Sequence, residues 1–354
     1  MQLILGTTKG LFIMEKRKDR WQIIHRHFLG LPVSMVHREE NGSIWWVALS
    51  IKHWGPKLYR SDDGGISFHE VTCPKYPEHT QIKDRPATLQ LIWSMTSSQK
   101  RIWIGTEPGG LFVSDDRGQN WSLVESLWNH PSRPEHWFGG GRNQAGIHTI
   151  CVHPDSEDHL YLGISCAGVF ETIDAGETWQ PKNQGLRADY LPDPFVEVGH
   201  DPHSLAICQS ASNVIWQQNH CGVFRTIDEG ENWTDVTAGD NYGRYGFALS
   251  IDPINPLRAW IIPAESDERR VAKDGNLVVC TTEDGGENWV HFSEGLPQKD
   301  CFDIVFRHAF ARYEDLMAFG TTTGNLFTSR DDGKRWTLVS GHLPPIHVLQ
   351  IHES

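Results

Sequence analysis

One eight-residue pattern recurs six times along the 354-residue chain and constrains its fold more than any other feature. The pattern is Ser or Thr, one variable residue, Asp, one variable residue, Gly, two variable residues and an aromatic ring. Successive copies of the Asp are 53, 58, 54, 56 and 47 residues apart. A period of about fifty residues is typical of a repeat architecture, in which each copy belongs to one supersecondary unit. The copies occupy residues 61–68, 114–121, 172–179, 226–233, 282–289 and 329–336.

Each copy of the pattern predicts a tight turn that bonds to itself. An Asp side chain accepts hydrogen bonds from the backbone N–H groups that follow it, which closes a turn locally. The Gly takes a positive φ without steric cost, and the aromatic ring supplies apolar surface to bury between neighbouring units. Each copy has too few carboxylates at the required spacing for a calcium loop. We therefore predict structural roles for the six aspartates, Asp63, Asp116, Asp174, Asp228, Asp284 and Asp331.

The repeated pattern resembles the Asp box, also called the BNR repeat, of sialidases, sortilin-type receptors, some endoglucanases and a photosystem assembly factor. In those families the box joins the third and fourth strands of a β-propeller blade, so the resemblance implies a β-propeller here. The whole chain looks like intracellular bacterial Asp-box proteins of similar size that are sialidase-like or glycosyl-hydrolase-like. Because the box occurs in enzymes and in binding proteins alike, it implies little about activity.

The residues around each box supply the other strands of a four-stranded blade. An apolar strand, a short turn and Gly-Leu-Phe or Gly-Val-Phe precede the box, as in residues 102–112 and 160–170. Residues 3–12 repeat this pattern with Trp21 at the aromatic position, although the intervening residues lack the Ser, Asp and Gly. Residues 346–351 predict a first strand that completes this N-terminal blade, and such closure removes exposed sheet edges. Other first strands are predicted at residues 89–94, 146–152, 203–208, 246–251 and 303–307.

The sequence therefore predicts an all-β fold, a seven-bladed β-propeller. Six blades carry Asp-box turns, and one degenerate N-terminal blade is closed by the C-terminal strand. We expect residues 1–354 to form a single domain, because each repeat unit of such an array packs on its neighbours.

Composition narrows the class of partner. The net charge is −13 and the chain has no basic tract, which argues against nucleic acid and against an anionic membrane as partners. No apolar run reaches the roughly 18 residues of a membrane-spanning helix. The first residues lack the basic start and cleavage site of a signal peptide. Seven cysteines without paired spacing suit a reducing compartment, so we expect a cytoplasmic protein.

Long insertions predict where a functional site lies. In a propeller blade the box turn lies at one end of the strands, while the loops between strands two and three and between blades emerge at the opposite, top face. The insertions in this chain are all of those two kinds, and long structureless loops in a compact fold are usually functional. We expect them to form a polar pocket for a small molecule or carbohydrate. They cover residues 50–56, 73–88, 127–145, 181–202 and 263–276.

A hydrolase-like activity on a small molecule or carbohydrate is the first functional hypothesis. By resemblance to sialidases, an arginine clamp would hold a carboxylate, and Tyr190 or Tyr245 would be the nucleophile with Glu265 or Asp189 as its partner. The chain departs from true sialidases, because their Phe/Tyr-Arg-Ile-Pro motif is absent and they have six blades. The clamp candidates are Arg142, Arg187, Arg244 and Arg269. Further substrate-binding candidates are His53, Trp54, Trp137, Gln218 and His220.

A propeller that binds a protein or peptide without catalysis is the alternative, as in the sortilin-type and photosystem relatives. The acidic composition and the absence of a recognisable catalytic motif favour it. The concentration of His, Cys and Arg in the loops counts against it, because peptide platforms rely on apolar and aromatic anchors.

A divalent metal ion at the channel mouth is a further expectation. The first strands of propeller blades line the central channel, and His148, His203, Asp303 and His347 begin four of the predicted strands. Imidazole and carboxylate are usual ligands of first-row divalent ions. Glu265 and Asp267 would then act as general base for a metal-bound water. The alternative is that these histidines bond to buried waters and loop carbonyls.

Overall fold

The computed structural model describes residues 1–40, 42–239 and 242–353. Its strands form seven four-stranded antiparallel sheets, each in simple up-and-down order, which confirms the predicted all-β, seven-bladed propeller. Six blades consist of consecutive strands, and the remaining one takes its first strand from the chain end. Within the described residues no helix is long and apolar enough to span a membrane.

Blade 1 is the degenerate N-terminal unit, and its closure follows the prediction. The C-terminal strand pairs antiparallel with the first strand of the chain, from Gln2 opposite His352 to Thr7 opposite Ile346. Trp21 is partly buried against the core, as expected of the aromatic position. A two-residue hairpin turn between longer strands replaces the missing box. The strands are β1 (Gln2–Thr7), β2 (Gly10–Arg17), β3 (Arg20–His27) and β30 (Ile346–His352).

The chain folds into two compact units, each with its own blades. The first unit comprises Met1–Val33, Gln184–Phe195 and the chain from His203 onward. The second unit comprises Ser34–Asn183 and Val196–Pro202. Single-domain behaviour over the whole chain stays a prediction.

The second unit contains blades 2, 3 and 4. Blade 2 consists of β4 (Val33–Arg38), β5 (Trp45–Ile51), β6 (Gly55–Ser61) and β7 (His69–Val71). A small hairpin follows, formed by β8 (Gln81–Ile82) and β9 (Arg85–Pro86). Blade 3 consists of β10 (Leu91–Ser97), β11 (Ile102–Glu107), β12 (Leu111–Ser114) and β13 (Ser122–Leu123). The short helices α1 (Glu125–Trp128) and α2 (Arg133–His136) precede blade 4, which consists of β14 (Gly146–His153), β15 (Ser156–Ser165), β16 (Gly168–Thr172) and β17 (Gln180–Pro181).

The first unit contains blades 5, 6 and 7 in addition to blade 1. Blade 5 consists of β18 (Pro202–Ile207), β19 (Ile215–Asn219), β20 (Gly222–Thr226) and β21 (Thr234–Asp235). Blade 6 consists of β22 (Gly246–Ile251), β23 (Ala259–Pro263), β24 (Val279–Thr282) and β25 (Val290–Phe292), with a 3-10 turn at Lys273–Gly275. Blade 7 consists of β26 (Phe310–Tyr313), β27 (Leu316–Gly320), β28 (Leu326–Ser329) and β29 (Thr337–Ser340).

One predicted first strand is wrong. Residues 303–307 form an irregular segment, and the first strand of blade 7 is β26, which begins seven residues later than predicted, at Phe310. The backbone N–H of Ile304 donates to the hydroxyl oxygen of Thr322, and the N–H of Thr322 donates to the carbonyl of Ile304. These two bonds hold the segment against the β27–β28 turn. Regular pairing of β26 with β27 therefore begins only after Ala309, at Phe310.

The six Asp boxes have the same hydrogen-bond pattern. In each, the Ser or Thr hydroxyl donates to the Asp carboxylate at 2.6–2.8 Å. The same hydroxyl accepts the N–H of the box Gly at 2.8–3.1 Å. The carboxylate also accepts the N–H of the seventh box residue at 2.9–3.0 Å. The box Gly has φ between +80° and +95°, in the left-handed region that glycine tolerates.

The box Gly also lets neighbouring blades approach closely. A Cβ on Gly118 would lie 2.4 Å from the ring of Trp46, which belongs to the second strand of the preceding blade. Gly333 likewise packs on Trp260, whose indole N–H donates to the carbonyl of Asp332 at 2.8 Å. Because the box Gly has no side chain, the turn of each of these boxes packs directly against a buried tryptophan of the preceding blade.

The box aromatics differ in their depth of burial. Trp179, Trp233 and Trp336 are buried, whereas Phe68, Trp121 and Trp289 are only partly buried. The indole N–H groups of Trp121 and Trp289 donate to the backbone carbonyls of Thr72 and Val236, each of which directly follows the last strand of the preceding blade. These rings thus combine apolar contact with one satisfied polar group, as is common for tryptophan.

Replacing a buried box aromatic should destabilise the fold strongly. We expect Trp233→Ala to lower the free energy of unfolding by about 3–5 kcal/mol, because it removes a large core ring. Urea denaturation followed by far-UV circular dichroism measures the change. As a control, Trp54→Ala removes a ring that is 79% exposed and should change stability by less than about 0.5 kcal/mol. Equal effects of the two substitutions would contradict the assignment.

The boxes should also make the fold acid-sensitive. Hydrogen bonds from Thr178 and Thr172 lower the pKa of Asp174 from 3.8 to about 2, and the pKa values of the other five box carboxyls are lowered too. A carboxyl whose folded pKa is depressed contributes stability that is present above the unfolded pKa and lost as pH falls through the folded pKa. We therefore expect stability to decline between about pH 4 and pH 2.

A single box can be tested with an isosteric amide. Asp174→Asn keeps the shape of the side chain but cannot titrate, so the variant should be less stable at pH 7 and lose less stability between about pH 4 and pH 2 than the wild type. Urea midpoints measured across that range check this. Asp84→Asn, at an exposed position outside any box, should leave the pH dependence parallel to that of the wild type.

Candidate functional site

Five predicted or neighbouring side chains meet at the loop ends of blades 5 and 6, within one unit. We call them the imidazole cluster: His203, His220, Tyr190, Tyr245 and Phe247. The ring of His203 lies 5.6 Å from that of His220 and 5.4 Å from that of Tyr245. His220 in turn contacts Tyr190 at 4.9 Å and Tyr245 at 5.5 Å, all as edge-to-face pairs. The cluster thus joins the strand start of β18, the β19–β20 turn and the segment before β22.

His203 forms the buried floor of the cluster. Its Nδ1 lies 2.6 Å from the carbonyl oxygen of Gly246, and because a carbonyl only accepts, Nδ1 carries the ring hydrogen and donates. A neutral His203 therefore has its lone pair on Nε2. Its ring stacks on Phe247 with centroids 4.5 Å apart. The guanidinium groups of Arg270 and Arg307 lie 5.5 and 5.6 Å from the Phe247 centroid and reinforce this packing by cation–π contact.

His220 is the accessible imidazole of the cluster. Its side chain is 23% exposed, and its Nε2 lies 3.7 Å from a carboxylate oxygen of Asp267 in the loop after β23. This distance is longer than a hydrogen bond, and such pairs often tighten only when a substrate binds. Tyr190, which is 38% exposed, covers one side of the ring. The arrangement is a histidine with a carboxylate partner beside a phenol.

Buried amides lie behind His220 in strand β19. Gln217, Gln218 and Asn219 are all fully buried. The Gln218 amide N–H groups face the carbonyls of Asn219, Gly222 and Arg244 at 3.1–3.4 Å. Among the described residues, Oε1 of Gln218 and Nε2 of Gln217 have no hydrogen-bond partner. An unsatisfied buried polar atom costs about 1–3 kcal/mol, and these two atoms are available to an ordered water or to a ligand group.

Two of the predicted catalytic carboxylates, Glu265 and Asp189, bond to groups of their own loops. Glu265 accepts the backbone N–H of Asp274 at 3.0 Å and pairs with Arg269 at 3.2 Å. The hydrogen bond from the Asp274 N–H is the main cause of the lowered pKa of Glu265. Asp189 accepts two hydrogen bonds from Arg187, at 2.8 and 3.1 Å. Both carboxylates order loops at this end of the unit, whereas Asp267 and Tyr190 contact His220.

The four predicted clamp arginines are each paired with a carboxylate. Arg187 and Arg269 bond within their loops, as described above. Arg244 pairs with Asp235 at 3.3 Å and donates to the carbonyls of Cys221 and Thr237. Arg142 pairs with Glu107 in the other unit. These ion pairs hold each arginine to its own part of the chain, and a shared clamp on one carboxylate stays a prediction.

Cys221, next to His220, has a raised pKa. Burial is the main cause of its raised pKa, although Arg244 and Arg187 lie near it. A thiol needs a lowered pKa to react as thiolate at neutral pH.

The candidates in the second unit have separate environments. Trp54 is 79% exposed and His53 is also exposed, both in the β5–β6 turn. Trp137 lies on Phe170 at 5.3 Å and donates its indole N–H to the Ser132 hydroxyl at 3.1 Å, so it holds its own loop in place.

Two of the four predicted metal ligands have both polar atoms engaged elsewhere. Nε2 of His148 lies 2.7 Å from the carbonyl of Pro202 and donates to it, while Nδ1 lies 2.8 Å from the Thr149 hydroxyl. Asp303, on the irregular segment, accepts hydrogen bonds from Thr323 and Asn325 on its two carboxylate oxygens. His347 contacts the ring of Phe306 at 5.6 Å. The ring of His203 lies beside a second imidazole, that of His220.

Several residues of these sites escaped the sequence-based predictions. Phe247 looks like an ordinary core residue, and Arg133, which lies between Trp128 at 3.7 Å and Trp137 at 4.6 Å, has no sequence signature. Glu107 was detectable, because a carboxylate at the end of the apolar run 102–106 is unusual.

Comparisons with known proteins agree with the repeat and the fold. The BNR/Asp-box repeat model matches residues 112–123, which include the second box. Over 227 residues the chain is 23% identical to the oligoxyloglucan-reducing end-specific xyloglucanase of Emericella nidulans, a match that covers 54% of this chain and 26% of the xyloglucanase. The chain thus spans about a quarter of the length of that relative.

Solved structures show the same fold. The GH74 enzyme of Niastella koreensis has a TM-score of 0.54 at 13% identity, over 96% of this chain and 64% of the enzyme. YCF48 bound to D1 peptide has a TM-score of 0.55 at 14% identity, over 96% of this chain and 83% of YCF48. At these identities the likeness concerns the fold alone. Together with the seven sheets and the repeat match, it confirms the Asp-box propeller.

The bonding of His148 can be tested directly. We expect His148→Ala to lower the free energy of unfolding by about 1–3 kcal/mol, because the buried carbonyl of Pro202 loses its donor. The metal content of the purified protein, measured by plasma mass spectrometry, should not change. His53→Ala, at an exposed position, serves as the control for both measurements. Loss of a stoichiometric metal ion in His148→Ala alone would restore His148 as a ligand.

Proposed function

We propose that the imidazole cluster is a hydrolytic site for a carbohydrate-type small molecule. The observation that carries this proposal is the convergence of His203, His220, Tyr190 and Asp267 in one unit. Each of these was a candidate for chemistry or binding from the sequence alone. Histidines, a tyrosine and a carboxylate at neighbouring loop ends supply acid, base and hydrogen-bonding groups.

His220 takes the role of general acid and base. Its imidazole removes a proton from water while the water oxygen bonds to the electrophilic carbon of the substrate. The bond from that carbon to the leaving oxygen then breaks, the oxygen keeps the electron pair, and the imidazolium gives its proton to that oxygen. Asp267, 3.7 Å away, is a positioning residue that orients the ring and stabilises its cationic form. Asp267 lies in a loop that Glu265 stabilises, because the Glu265 carboxylate accepts the backbone N–H of Asp274.

Tyr190 and Tyr245 supply the binding surface. Both rings pack edge-on to His220, and their faces are suited to contact a sugar ring while the hydroxyl groups hydrogen-bond to substrate hydroxyls. Buried His203 holds Tyr245 and His220 in place through ring contacts. The unsatisfied Oε1 of Gln218 behind the β19–β20 turn adds an acceptor for an ordered water.

The sequence relative supports a carbohydrate as the substrate class. Its name is that of an enzyme acting at reducing ends of oligoxyloglucan, and the match covers about half of this chain. YCF48 is known from its structure to bind a peptide, so peptide binding is the competing outcome.

The proposal predicts turnover that depends on His220. Purified protein should release the aryl group from at least one member of a panel of nitrophenyl or methylumbelliferyl glycosides, including a sialoside. His220→Gln should then reduce kcat/KM by about a hundredfold to ten-thousandfold, the usual range for loss of a general acid–base group. Asp267→Asn should lower kcat more than it raises KM, whereas Tyr190→Phe should mainly raise KM.

The chain contains a matched control pair. His79 lies 3.3 Å from Glu125 but is far more exposed, and His79→Gln should leave turnover unchanged. Assays before and after dialysis against a chelator separate imidazole chemistry from metal-assisted chemistry. If turnover were lost on chelation and restored by zinc, His203 and His220 would be ligands instead of acid–base groups. No turnover of any glycoside, or full activity in His220→Gln, would refute the proposal.

A further inference from the structure

The second unit contains a polar cavity that uses none of the residues of the imidazole cluster. It has a volume of about 550 Å³, within the range of small-molecule sites. Three separate insertions enclose it: the β5–β6 turn, the β8–β9 hairpin and the loop before β14. Its polar lining includes Lys52, Arg85, Gln90, Glu107, Arg142 and Asn143.

The charge of this cavity is opposite to that of the protein. The chain has a net charge of −13, yet Lys52, Arg85 and Arg142 all line the cavity. Glu107 is the one carboxylate lining it among the described residues, and it is already paired with Arg142. Within the same part of the chain, Lys52 and Arg85 have no carboxylate partner. The cavity therefore has an excess of two positive charges, which favours an anionic ligand.

The side chain of Arg142 is fixed by two contacts and remains accessible to such a ligand. Its Nε–H donates to the Glu107 carboxylate, and Glu107 is only 5% exposed. Its guanidinium carbon lies 5.2 Å from the Trp93 ring centroid, a cation–π contact. The Arg142 side chain nevertheless remains 42% exposed. An arginine whose Nε is fixed and whose terminal N–H groups are accessible matches a carboxylate or phosphate in a bidentate way.

The rest of the lining selects for hydroxyl groups rather than for stacking. Asn143 adds an amide donor and acceptor, and Gln90, whose amide nitrogen donates to the Thr88 hydroxyl, adds its amide oxygen as an acceptor. No aromatic ring lines the cavity among the described residues, so a neutral sugar has no face to stack on. Charge and hydrogen bonds must therefore carry recognition here.

We propose that this cavity binds a small hydroxylated organic anion of the sugar-acid type. Arg142 binds the acidic group, Lys52 and Arg85 add charge, and the amides bind hydroxyl groups. A carboxylate on a uronic acid and a phosphate on a sugar phosphate share this chemistry, so the experiment includes both.

Isothermal titration calorimetry at low salt tests the proposal with D-glucuronate, glucose 6-phosphate, inorganic phosphate and neutral glucose. At least one of the two sugar anions should bind at least about tenfold more tightly than glucose and than inorganic phosphate. Binding should weaken at about 0.5 M salt, because screening reduces attraction between charges. The sugar anion that binds more tightly identifies the acidic group.

Substitutions locate the site. Arg142→Gln and Arg142→Lys should each weaken binding of the sugar anion by about ten- to a hundredfold, because both lose the bidentate pair. Arg142→Gln leaves Glu107 buried without its arginine partner, so Lys52→Gln and Arg85→Gln, both at exposed positions, test the charge of the cavity without disturbing a buried group. Arg330→Gln is the matched control, since Arg330 is 43% exposed and paired with Asp315.

The proposal has clear contrary outcomes. Equal affinity for glucose and the sugar anions, no binding of either anion, or wild-type affinity in Lys52→Gln, Arg85→Gln and Arg142→Lys together would each overturn it. Inorganic phosphate binding as tightly as both sugar anions would also overturn it, because it would show a simple anion site without selection of hydroxyl groups. Because none of these residues takes part in the proposed hydrolysis, His220→Gln should bind the anion normally, which separates failure of one proposal from failure of the other.

Discussion

The hydrogen bond between the box hydroxyl and the box carboxylate is the interaction on which the rest of the structure depends. One Ser or Thr hydroxyl donates to Asp and accepts from the Gly N–H, and the Asp binds the backbone on the far side of the turn. Each turn therefore closes through hydrogen bonds among its own eight residues, and some boxes also accept a bond from the preceding blade, as Asp332 does from Trp260. Because the closing bonds are local, the same turn recurs in six blades.

Closing one end of every blade locally leaves the other end available for variation. The loops opposite the boxes differ in length and composition because no repeated hydrogen-bond pattern constrains them. In the first unit these loops bring together two imidazoles, two phenols and a carboxylate. In the second unit they enclose a cavity with an excess of positive charge. Both sites thus lie in the variable loops, at the end of the blades opposite the constant box turns.

Many charged loop residues in this protein organise loops rather than bind ligands. Glu265 orders its turn by accepting the Asp274 N–H, and Arg244 holds two carbonyls and Asp235. Partly buried charges need partners, and loops without regular secondary structure have backbone groups to satisfy. The histidines behave similarly, since His148 uses both ring nitrogens on its own unit. The proposed functions rest instead on side chains that face a pocket or a neighbouring loop, notably His220 and Lys52.

The sequence by itself determined the repeat, the number of blades and their closure. A turn that bonds to itself within eight residues leaves a local signature, and a strand such as β30 is recognised because its pattern matches a blade that lacks one. It also identified His203, His220, Tyr190 and Asp267 as candidates, because polar groups in long insertions stand out. It failed on the predicted strand 303–307, because this segment is irregular and bonds to the turn at Thr322, and the first strand of blade 7 begins at Phe310.

Only the tertiary structure decided which of these candidates meet. The partners of Arg142 and His148 come from positions 35 and 54 residues away, so no local pattern shows that they are engaged. The imidazole cluster joins residues from the segment 184–195, from blade 5 and from the start of blade 6, and the distances among its rings depend on how those blades pack. Hydrogen bonding within a short segment can be predicted from the sequence, whereas hydrogen bonds and ion pairs between distant loops depend on how the blades pack.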